Sequence, residues 1–163
     1  MRITAALLIP AALVAQAPAW DGDYVLDLDG SESIPNAIKA LTEPMNFALK
    51  AFWKKKLEGS EKAPQNLGIL KGTNVTLSVD KEAPFTAGPG SPAQWKRGDG
   101  EAFTVSLAED APAFTLSFAQ DDVVRSWRFR LSKDGKGLGV EVTLRHPKLP
   151  GPLSYRLQYR KAG

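Results

Sequence analysis

The chain has 163 residues, 24% of them charged and 43% hydrophobic, the size and balance of one globular domain with a packed core. With 0 cysteines it has no disulfide framework, thiolate nucleophile or thiolate zinc site, and 1 histidine excludes a cluster of imidazole ligands. The formal net charge of +3 is too small to imply nucleic-acid binding.

Met1-Arg2 precedes an apolar run over 3–14 and the sequence Ala-Gln-Ala-Pro-Ala ending at Ala19. A basic start, a short apolar stretch and small residues before a cut are the marks of a signal peptide, here 1–19. The run is too short to span a bilayer as a helix. The expected mature chain is therefore a single domain, 20–163, in a periplasmic or secreted location.

Tyr24, Leu26 and Leu28 alternate with Val25, Asp27 and Asp29, which predicts a first strand ending at Gly30-Ser31. Ser31 or Ser33 can cap a helix with Pro35 in its first turn, where a missing N–H is harmless. Ile34, Ala37, Ile38 and Leu41 share one face of that helix. Pro44 breaks it at Thr42-Glu43-Pro44. Met45, Ala48, Leu49, Phe52, Trp53 and Leu57 then restart the helical period in a second short helix. Beyond residue 67 the period is two. Alternating runs lie at 75–79, 103–107, 114–118, 126–131, 138–145 and 153–160, and shorter strands are expected near 67–71, 84–87 and 92–97.

About ten antiparallel strands joined by short turns, nearly all apolar on one face, must close or stack to cover that face. An up-and-down β-barrel is the simplest closure and can enclose a small ligand, while a two-sheet sandwich is the alternative. Tyr24, Leu77, Phe103, Phe114, Phe118, Arg125, Trp127, Phe129, Leu157 and Tyr159 have the inward parity, with Phe52 and Trp53 on the second helix. An unpaired Arg125 inside a barrel would call for a ligand carboxylate or phosphate as counter-charge; at a strand end it would instead reach water.

The opposite face of the last strands carries Arg128, Arg130, Arg145, Arg156 and Arg160, and the second helix carries Lys50, Lys54, Lys55 and Lys56. Either basic surface suits an anionic lipid surface or an acidic partner, and either can be simply solvated. His146 lacks a nucleophile to serve and is weak evidence for catalysis. Asp27-Leu28-Asp29-Gly30 fails as a calcium loop, because Asn36 would stand where a bidentate Glu is needed. No phosphate loop, dinucleotide fingerprint or nucleophile elbow is present.

Gly22-Asp23-Tyr24-Val25-Leu26 on the first strand, two helices before the second strand, and meandering strands ending in Tyr159-Arg160-Lys161 together resemble the intracellular fatty-acid-binding proteins of the calycin superfamily, here as an exported bacterial member. The resemblance implies a mainly β fold, a ten-stranded up-and-down barrel with a two-helix lid between its first and second strands. It also implies a monomeric, non-catalytic carrier without cofactor or metal, binding a fatty acid or similar hydrophobic ligand. That family holds the ligand carboxylate with two inward arginines and a tyrosine. The tyrosine matches Tyr159, but the arginine positions fall on Leu157 and Phe129. The expected ligand-binding residues are thus Arg125, Tyr159, Trp127, Phe129, Leu157, Tyr24, Phe103, Phe114, Phe118 and Phe52. The alternative function is a ligand-free interaction module docking through the arginine face onto an envelope partner.

Overall fold

The computed structural model describes residues 19–163. The leader assigned to 1–19 lies, apart from Ala19, outside the described residues. The elements are β1 (Gly22–Asp27), α1 (Ile34–Thr42), α2 (Phe47–Ser60), β2 (Asn66–Lys71), β3 (Val75–Val79), β4 (Phe85–Ala87), β5 (Ala93–Lys96), β6 (Ala102–Asp110), β7 (Ala113–Gln120), β8 (Val123–Leu131), β9 (Gly137–Arg145) and β10 (Leu153–Lys161). All ten strands form one antiparallel sheet in the order β4-β3-β2-β1-β10-β9-β8-β7-β6-β5. β1 joins the two halves by pairing with both β2 and β10. At the seam no ladder joins β4 to β5 among the described residues; Gly88 bridges Ser91 within the connecting loop and Pro89 bridges Leu107 of β6, so the barrel is nearly closed.

Period-two patterning fixes the register, because a slip of one residue would turn every apolar side chain outward. Three rows show the result. Phe114, Phe129, Val140 and Leu157 lie abreast on β7 to β10, followed by Leu116, Trp127, Val142 and Tyr155, and then by Phe118, Arg125, Leu144 and Leu153. The last row is at the end where the helices sit. The hairpin β8–β9 turns through Gly135, whose positive φ of 72° suits a residue without Cβ.

At the far end the barrel is filled. The Phe114 and Phe129 rings stack with centroids 4.7 Å apart, and Trp20 meets Phe114 edge-on at 4.9 Å. The Tyr24 hydroxyl donates to the Trp20 carbonyl at 2.7 Å, fixing the incoming chain under this plug. Tyr24, Leu77, Phe114 and Phe129 are completely buried.

The helices start where capping chemistry allows. Ser33 accepts the Asn36 N–H at 3.3 Å and Pro35 sits in the first turn of α1, while Asn46 accepts the Leu49 N–H at 3.0 Å to cap α2. Two expectations are corrected. The first strand stops at Asp27, because the Ser31 hydroxyl donates to the Asp27 carbonyl at 2.6 Å and starts a turn that leaves Leu28 exposed. The expected apolar stripe of the second helix is only partly buried. Trp53 and Leu57 are covered, but Leu49 and Phe52 face out, since the side of α2 that meets the barrel runs through Trp53 and Leu57 toward Glu61.

Phe114→Ala removes the centre of the plug and should lower stability by about 3–5 kcal/mol, measured by urea unfolding.

Candidate ligand-binding site

Between the C-terminal half of α2 and the inner wall of the barrel lies a cavity of about 760 Å³, open at the lid end. This is within the ~300–1,000 Å³ range of small-molecule sites. Its mouth is formed by the end of α2 and the turns β3–β4, β5–β6, β7–β8 and β9–β10. The wall is aromatic. Phe118 lies 5.0 Å from Trp127 and 5.8 Å from Trp95, and Trp95 in turn 5.9 Å from Phe103. The Trp95 indole N–H donates to the Ala83 carbonyl at 2.7 Å, which leaves the ring as an apolar surface.

The structure divides the expected site residues. Arg125, Trp127, Phe103, Phe118 and Leu157 line the cavity together, with Trp53 over them. Tyr24, Phe114, Phe129 and Leu77 do not reach it, because they belong to the packed core and plug. Tyr159 is also buried outside the cavity lining. Its hydroxyl donates to the Pro64 carbonyl at 3.0 Å, and burial pushes its ionisation well above the ordinary phenol range. Phe52 is on the outer side of α2 and 57% exposed. The positions where the resembling family carries arginines are apolar here, Leu157 on the cavity wall and Phe129 in the plug.

Arg125 does point inward, but it is not unpaired. Its guanidinium forms an ion pair with Glu61, whose side chain is 1% exposed. Glu61 is the residue that ends α2; its N–H donates to the Leu57 carbonyl at 2.7 Å, and its extended backbone directs the carboxylate into the barrel. One carboxylate oxygen accepts from Arg125 and from the Ser60 hydroxyl at 3.2 Å, and the other accepts from the Tyr155 hydroxyl at 3.0 Å. Burial, and then the Glu61 charge, raise the Tyr155 phenol far above its ordinary range, so it stays a donor at neutral pH. The counter-charge expected from a ligand is therefore supplied by the chain itself.

Sequence reasoning missed Glu61, Tyr155 and Trp95. A signal for Glu61 exists, since it follows Trp53 and Leu57 at intervals of four on the buried stripe of α2. Tyr155 shares the parity of Leu153 and Leu157. His146 also lines the cavity; its ring lies 4.8 Å from Trp53 and its Nδ1 accepts the Lys148 N–H at 3.0 Å, a packing role. On the outer face, Arg128, Arg156 and Arg160 are paired with Asp110, Glu32 and Asp27, while Arg130 and Arg145 have no ion pair among the described residues.

Solved structures share this fold. A fatty-acid-binding protein 1 of Echinococcus granulosus superposes with a TM-score of 0.56 at 13% identity, over 88% of this chain and 98% of that one. A zebrafish ileal bile acid-binding protein complexed with cholic acid gives 0.55 at 12% identity, over 88% and 98%. A secretary abundant heat soluble protein of Ramazzottius varieornatus gives 0.58 at 13%, over 90% and 100%. The class defined by the fold is thus the ten-stranded, helix-lidded barrel of the fatty-acid-binding proteins. No family model and no curated protein matches the sequence.

Removing one partner of the buried pair leaves an uncompensated charge. Glu61→Ala should cost about 3–5 kcal/mol, and the double variant Glu61→Leu/Arg125→Met much less than the sum of the singles, read from urea unfolding as a double-mutant cycle.

Proposed function

We propose that this protein is a non-catalytic carrier that buries a fatty acid or similar hydrophobic ligand in the lid end of its barrel. The observation that carries the reading is the aromatic-walled cavity of about 760 Å³ under α2. Removal of an acyl chain from water supplies the affinity, about 0.8 kcal/mol per buried CH₂. The fold supports the same reading, since proteins that share it are described as fatty-acid-binding or as complexed with cholic acid. The leader-like first 19 residues support export, to a periplasmic or secreted location, and the carrier would act as a monomer.

Native mass spectrometry of the delipidated protein, offered fatty acids, lysophospholipids and sterols, tests this. One ligand per chain is expected. Val123→Trp, which places a larger ring on the lining, should weaken retention about ten-fold with little change in melting temperature. Failure of every hydrophobic ligand to bind would end the carrier reading.

A second reading concerns the lid. Phe47 is 88% exposed and Phe52 57%, beside Lys54 and Lys55, an arrangement suited to touching an anionic membrane during ligand transfer. Co-sedimentation should show binding to vesicles containing phosphatidylglycerol in preference to pure phosphatidylcholine, with Phe47→Glu/Phe52→Glu losing most of it.

A further inference from the structure

The charged groups inside the cavity are already paired, and the Trp127 indole N–H, buried on its wall without a hydrogen-bond partner, is an open neutral donor. Arg125 is the cation on the barrel wall, and it is neutralised by Glu61 inside the protein. Both oxygens of that carboxylate accept hydrogen bonds from the chain itself. At the mouth the lining carboxylates are Asp80, Glu82, Asp99, Glu101 and Asp121. The facing cations are fewer and mostly engaged. Arg97 pairs with Asp99 at 3.0 Å and Glu101 at 3.2 Å, and the Lys56 ammonium lies 5.0 Å from the Trp53 ring, which leaves Lys62.

From this geometry we infer that the cavity selects an uncharged hydrophobic ligand, such as a long-chain alcohol or a monoacylglycerol, over the free fatty acid of the same chain length. The inference rests on the carrier reading and narrows it. An ionised carboxylate that entered would be stripped of water without meeting an unpaired cation on the barrel wall, since Lys62 is an exposed residue of the mouth, and near Arg125 it would share the site with Glu61, a like charge. A hydroxyl or ester has far less hydration to lose and meets no such repulsion. The apolar Leu157 and Phe129, at the two positions where the resembling family has arginines, leave no second anchor for an acid.

The test uses Nile red, an uncharged fluorophore, bound to the intact protein at pH 8, where a carboxylic acid is ionised. Hexadecan-1-ol, 1-hexadecanoylglycerol and hexadecanoic acid are then compared as displacers. The alcohol and the glyceride should displace the probe at about ten-fold lower concentration than the acid. In Glu61→Gln, which leaves the Arg125 charge unbalanced, the acid should gain about ten-fold or more while the alcohol changes little. An acid that displaces as well as the alcohol from the wild-type protein overturns the inference and leaves the carrier reading standing. An unchanged preference in a Glu61→Gln protein that still binds Nile red also overturns it. Should that variant fail to bind the probe, the wild-type order decides alone. If neither Nile red nor any of the three lipids binds the wild-type protein, the carrier reading itself fails.

Discussion

The carboxylate of Glu61 is the constraint around which the lid end of the barrel is arranged. It is taken out of water at the close of α2, and a buried charge of this kind is tolerated only with a countercharge and hydrogen bonds to its remaining lone pairs. Arg125 from β8, Tyr155 from β10 and Ser60 beside it meet those requirements together. Satisfying one side chain therefore ties the helical lid to two strands of the barrel wall. Trp53 and Leu57 add apolar contact on the same helical stripe, and the ion pair with Arg125 and the Tyr155 hydrogen bond orient the end of α2.

The barrel is divided along its axis by how its inward side chains pack. At one end Trp20, Tyr24, Phe114 and Phe129 fill the section with stacked and edge-on rings. Toward the lid, the rings of Phe118, Trp127, Trp95 and Phe103 pack against one another along the wall, and space remains between that wall and α2. The cavity is consequently short and deep under the lid rather than running the length of the barrel. The inner wall presents aromatic faces, the mouth is lined by charged side chains, and the inward arginine of the wall, Arg125, is neutralised by Glu61.

Charge on the outside follows different rules. Arg156 and Arg160 hold Glu32 and Asp27, and such exposed pairs are worth about 0–1 kcal/mol each, so breaking one costs far less than removing one partner of the buried pair. They matter more by lowering the free positive charge of the arginine face. This weakens the case for an interaction module that docks through that face, because three of its five arginines already have acidic partners within the chain.

Much of the fold is readable from the sequence, because alternation of apolar and polar residues over most strands determines which side is buried, and Pro44 with two capping residues delimits the helices. That patterning places Arg125, Trp127, Phe103, Phe118 and Leu157 inward, and it is a local property. Parity could not say how far up the barrel each residue lies, so Phe114 and Phe129 looked the same as Phe118 although they belong to the plug. Nor could it find the partner of Arg125. Glu61 and Arg125 are 64 residues apart, and their meeting depends on where the end of α2 is seated over the sheet. Local periodicity determined the direction of each side chain; only the closure of the barrel under its lid decided which of them share a cavity and which charges cancel there.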